Sequence, residues 1–149
     1  MATSDDIARV IAKLEAAPGR LKRGLLLEAT GRIVDRTPVD RGRARGNWQA
    51  SSGQPVEGVL DRLDPGGTVA VQAAAQVRAV DGEDLYLVNN LPYIKRLEDG
   101  WSQQAPQGMV ALTVAELQPL ADQIADRIAQ ERTTAEQFGR EPARSTVIL

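Results

Sequence analysis

Apolar positions recur at helical spacing from the start of the chain. Ile7, Val10, Ile11 and Leu14 follow Ser4, a helix-capping residue, and Asp5 and Asp6, which suit the positive end of a helix dipole. Pro18-Gly19 interrupts this first helix. Leu21, Leu25, Leu26, Ala29 and Ile33 mark one face of a second helix. It must stop near Arg36, because Thr37 precedes Pro38 and is driven to extended geometry. The period then changes. Residues 45–51 read as a strand with Trp48 and Ala50 toward the core and Asn47, Gln49 and Ser51 toward water. Residues 53–67, rich in Gly, Pro and Asp, read as a loop. Residues 68–80 read as a helix with Val69, Ala73, Val77 and Val80 on one stripe, although Thr-Val-Ala-Val also suits the start of a strand.

Residues 85–89 (Leu-Tyr-Leu-Val-Asn) form the next predicted strand. Pro92 suits the first turn of a short helix through Glu98, which Gly100 ends. Residues 101–108 are an irregular loop, and residues 109–112 read as a short strand. Thr113-Val-Ala-Glu116 is a capping box opening a helix with Leu117, Leu120, Ala121, Ile124 and Ile128 as its apolar positions; Pro119 weakens its first turns. Periodicity ends at Thr133. The last stretch closes on Val147, Ile148 and Leu149, a β-prone arm suited to pairing with a sheet edge. The pattern divides the chain into a domain over residues 1–132 and a C-terminal arm over 133–149.

Composition narrows the chemistry. The 149 residues include no histidine and no cysteine, which excludes Ser-His-Asp and Cys-His nucleophile pairs, Cys/His zinc sites and disulfides. With 42% apolar residues the chain is long enough to bury roughly 68–70% of its unfolded surface. The net charge of −2 argues against a dedicated nucleic-acid binder. No apolar run reaches the ~18 residues of a membrane span. The acidic start lacks a signal peptide's basic and apolar regions, so a cytoplasmic compartment is expected. Charge is polarised. Residues 20–45 carry eight Lys/Arg against three Asp/Glu, and residues 98–149 carry four Arg against eight acids, so one copy's basic face could stack on a neighbour's acidic face.

No catalytic, metal or cofactor site is expected. Asp81, Glu83 and Asp84 lack the spacing of a calcium loop, and Asp64-Pro-Gly-Gly67 is too short for a phosphate loop. The one constellation pointing to nucleic acid is Arg41, Arg43 and Arg45 followed by Trp48, three cations near a stacking ring. Tyr93, Leu97 and Trp101, four apart, should lie together, with Glu98 beside them in reach of an arginine from residues 41–45.

Two segments carry a resemblance. Thr37-Pro-Val-Asp-Arg-Gly-Arg-Ala-Arg-Gly-Asn-Trp48 is similar to one signature of the tail-completion, or neck, proteins of tailed bacteriophages. Leu85-Tyr-Leu-Val-Asn-Asn-Leu-Pro-Tyr93 with Leu97-Glu-Asp-Gly-Trp-Ser-Gln-Gln-Ala-Pro-Gln-Gly-Met109 resembles a second, in the same order. Arg41 stands where the family usually carries threonine. The resemblance spans about residues 5–130. It implies an α+β fold, a small antiparallel sheet packed by N-terminal and C-terminal helices, with a long irregular loop and an extended arm. It implies a structural virion protein, made in the host cytoplasm, that joins the head connector to the tail or completes the tail's head-proximal end. Such proteins form a ring, usually sixfold, around the DNA channel. Partners would be further copies of the chain, head connector, adaptor or stopper proteins, and tail terminator or tail-tube proteins. DNA would only pass through, and no membrane is involved. The alternatives are a tail terminator or, in another class, a small DNA-binding packaging accessory. The interface residues expected are Thr37, Pro38, Asp40, Gly42, Arg43, Arg45, Trp48, Asn89, Asn90, Pro92, Tyr93, Glu98, Gly100, Trp101, Ser102, Pro106, Gly108 and Met109, with Val147, Ile148 and Leu149 in the arm.

Overall fold

The structure, a computed structural model, describes residues 19–80 and 82–137. The expected first helix and the arm's Val147, Ile148 and Leu149 lie outside the described residues. The elements run α1 (Gly19–Arg36), α2 (Arg43–Gly46), β1 (Trp48–Ser52), α3 (Thr68–Ala75), β2 (Leu85–Asn89), α4 (Ile94–Glu98) and α5 (Val110–Gln137). The fold is α+β. Its sheet, among the described residues, is the antiparallel pair β1–β2 in the register Trp48↔Asn89 to Ser52↔Leu85.

α1 is the central element and packs on α5, α3 and both strands. Its Leu25, Leu26, Ala29, Ile33 and Val34 are buried with Trp48, Leu85, Leu87, Met109 and Leu117. Lys22 is buried too, a departure from the apolar stripe. Its ammonium donates to the carbonyl oxygens of Glu83 (2.6 Å) and Val80 (3.4 Å), pinning the approach to β2 onto the helix. α1 stops where expected. Thr37 Oγ1 donates to the Ile33 carbonyl at 2.6 Å, and the Thr37 N–H donates to Val34.

Residues 43–46 form one helical turn rather than the start of a strand, and Asn47 is fully buried instead of facing water. Its side chain accepts from the Leu60 N–H (2.8 Å) and donates to the Arg43 and Leu60 carbonyls, so it replaces a strand partner for the loop beside β1. α3 ends at Ala75, and its buried face is Ala70 and Ala74, whereas Val69 and Val80 are exposed. The Asp64 carboxylate takes the Ala70 N–H at 2.9 Å and sets that rotation. Residues 109–112 are not a strand: α5 begins at Val110 and runs unbroken through Pro119 and past Thr133 to Gln137. Thr113 and Glu116 therefore do not form a capping box. Thr113 Oγ1 donates back to the Met109 carbonyl within the helix.

Candidate functional site: a groove between the two motif segments

The start of α5 is capped by a residue from another element. Glu98, at the end of α4 and 8% exposed, accepts the N–H groups of Met109 (2.8 Å) and Val110 (2.7 Å) on Oε1 and of Ala111 (3.0 Å) on Oε2. A carboxylate at a helix N-terminus satisfies orphan donors and meets the positive end of the dipole. This corrects the expected pairing of Glu98 with an arginine from residues 41–45. The approach requires Gly108, at φ +81°: a Cβ there would sit 2.9 Å from the Glu98 carboxyl carbon.

Residues 99–109, irregular in trace, are rigid in bonding. Trp101 N–H donates to Arg96, Ala105 to Ser102 and Gly108 to Ala105, in successive turns, and Gly100 packs against the Pro106 carbonyl. Ala105 and Met109 anchor the loop in the core.

The other motif segment is tied down as thoroughly. Trp48 is 1% exposed, in the core as its alternation predicts, on a strand that packs on α1, and its Nε1 donates to Thr37 Oγ1 at 2.8 Å. Arg45 donates to three backbone carbonyls, those of Thr37 (2.9 Å), Pro65 (2.8 Å) and Asp35 (3.1 Å). Gly42, at φ +91°, lets the chain pass so close to Asp64 and Pro65 that a Cβ would lie 2.6 Å from Pro65 Cα. Asn89 Nδ2 donates to the Ala44 carbonyl, and Asn90 Nδ2 to Val56 and Gly58. The constellation of Arg41, Arg43, Arg45 and Trp48 is thus not assembled as a nucleic-acid platform, since its ring is in the core and Arg45 is occupied.

The two segments meet through Gln104. Its side chain accepts from the Val39 N–H (2.8 Å) and donates to the Val39 carbonyl (2.9 Å), a two-bond clamp between loops 65 residues apart. Both residues of the clamp line a groove of about 780 Å³. One wall is Pro38, Val39, Asp40, Arg41 and Arg43; the other is Tyr93, Leu97, Trp101 and Ser102; Asp61 and Leu63 come from the loop before α3. Tyr93, Leu97 and Trp101 do gather as their spacing predicts. Trp101 is 73% exposed and Leu63 58%, large apolar surfaces held open to solvent. The Arg96 guanidinium stacks 5.0 Å from the Trp101 ring and props it in place.

Of the expected interface residues, Pro38, Asp40, Arg43, Tyr93, Trp101 and Ser102 line this groove. Thr37, Gly42, Arg45, Trp48, Asn89, Asn90, Glu98, Gly100, Gly108 and Met109 build the frame behind it, while Pro92 and Pro106 lie exposed outside the lining. The sequence reading missed Gln104, Asp61 and Leu63 as site residues. Leu63 carried a weak signal, one of four large apolar residues, with Val56, Val59 and Leu60, in a loop otherwise rich in Gly, Pro and Asp. Among the described residues no group of three His, Cys, Asp or Glu side chains is placed to hold a metal ion, and no helix is long and apolar enough to cross a membrane. No protein-family model, curated protein or solved structure matches the chain.

Part of the polarised charge closes within the chain. Glu116 bridges Arg32 and Arg36, Arg36 also donates to Thr113 Oγ1 (3.0 Å), and Arg20 pairs with Glu131 at 2.6 Å. The basic face of α1 therefore packs on its own acidic α5. Arg41 and Arg43, exposed at the groove, stand outside this network.

Proposed function

We propose that this chain is a structural component of the head–tail junction of a tailed bacteriophage, assembling as a ring around the DNA channel. One observation carries the reading. The two segments that resemble neck-protein signatures clamp together into one rigid frame, and that frame holds Trp101, Leu63 and Tyr93 open to solvent beside Arg41 and Arg43. Exposed aromatics and arginines on a preorganised surface are what a protein–protein contact uses, because few rotamers remain to be ordered on binding. The contact is heterologous on this reading, with the groove of one copy meeting a different surface of the next, and a heterologous contact that closes makes a ring. The chain has no catalytic task here; its work is binding energy distributed around the ring. Partners in the head connector and the tail would dock on the assembled ring.

Light scattering and negative-stain electron microscopy of the purified chain test this, together with titration of duplex DNA. Closed rings with weak DNA binding are expected. A monomer that forms a salt-sensitive DNA complex would replace the reading with that of a packaging accessory.

A further inference from the structure

We infer that the groove of one copy is filled by residues 146–149 (Thr-Val-Ile-Leu) of a second copy. The inference rests on the proposed contact between copies and names its occupant. Reach decides between the chain's own groove and a neighbour's. The groove lies at the loop that feeds the N-terminus of α5. α5 has 28 residues, so its other end, Gln137, is about 42 Å away at a rise of 1.5 Å per residue. Ile148 lies eleven residue steps beyond Gln137, and even fully extended these span only about 36–40 Å. A chain running straight back along the helix would have nothing left to lay in its own groove. A neighbour placed head to tail receives the segment without that stretch.

Chemistry matches as well. Val147, Ile148 and Leu149 offer apolar side chains to the exposed faces of Trp101 and Leu63. The groove lining carries both signs, Asp40 and Asp61 beside Arg41 and Arg43, and the residues leading into the segment carry both as well, Glu141 and Arg144, so each charge can meet an opposite partner. The Gln104–Val39 clamp joins the backbone of one motif segment to the other before the segment arrives, which lowers the ordering cost of binding.

Complementation between two full-length variants tests this. Trp101→Ala removes the groove's main apolar wall and leaves the segment; Ile148→Asp spoils the segment and leaves the groove. Each variant alone should be monomeric by light scattering, with the wild-type circular dichroism spectrum. Mixed, they should form a dimer of twice the 16.1 kDa of one chain, because one good groove meets one good segment. A labelled peptide of residues 138–149 should bind Ile148→Asp at least tenfold more tightly than Trp101→Ala, which keeps the test valid if one variant is unstable. If Ile148→Asp still forms rings like the wild type, the occupant is wrong while the ring stands. If the wild type is monomeric at every concentration, both fail.

Discussion

Trp48 and Glu98 each hold together parts of the chain that are distant in sequence. The Trp48 indole fills the space between β1 and α1 and spends its one polar atom on Thr37. Trp48→Ala should cost about 3–5 kcal/mol, read as a lower denaturation midpoint; an unchanged midpoint contradicts the core placement. Glu98→Gln keeps the shape but replaces a carboxylate that takes three backbone N–H groups by an amide with one acceptor oxygen. It should cost about 1–3 kcal/mol in urea denaturation, and no loss would mean that α5 is capped otherwise. The burial of Trp48 was legible because alternation along a strand is a local pattern. The roles of Glu98 and Asn47 were not. A cap contributed from eleven residues upstream leaves no mark in the helix's own first turn, and Asn47 is buried only because the loop at Leu60 returns to meet it.

Between elements, the junction of α1 and α5 is ionic at its solvent edge and apolar within. Arg36, hydrogen-bonded to Glu116, holds that carboxyl below the ordinary carboxylate range, with Arg32 adding to the effect; Glu116 in turn raises Arg32 further. A carboxyl whose pKa is lower in the folded state contributes stability above its unfolded pKa and loses it as pH falls through the folded value. Glu116→Gln should therefore lower the melting temperature at pH 7, and the gap from the wild type should close as pH falls below the carboxylate range. A gap independent of pH would mean that packing, not charge, is what the glutamate supplies. Partial exposure keeps the effect modest and salt-sensitive. At this scale the sequence was readable in type more than in extent. α1, β2 and α4 lie where spacing put them, because each is bounded by its own Pro, Gly or Asn. α5 began three residues earlier than its apparent capping box, since Glu98 supplies the cap, and α3 turned its Ala face inward because Asp64 fixes its first turn.

For the whole molecule, the resemblance to neck proteins was carried by two segments that the fold brings to one place, and most of their residues serve to build it. Around the groove, which no periodicity announces, Asp40, Arg41, Arg43, Asp61, Leu63, Tyr93, Trp101 and Gln104 face outward. Part of the charge polarity is met within the chain, where Arg20, Arg32 and Arg36 of α1 pair with Glu116 and Glu131 of α5, and the groove is the surface better suited to a contact between copies. Trp101→Ala should leave the melting curve unchanged, because the ring touches little of the core, and should reduce assembly at least tenfold in concentration. A fall in melting temperature with assembly intact would make the loop mere scaffolding. The most direct measurement is a cryo-electron microscopy structure of the assembled wild-type chain. A closed ring is expected, in which Trp101 of each subunit is covered by its neighbour. A ring with Trp101 still facing solvent, or a chain that never closes into one, would contradict it.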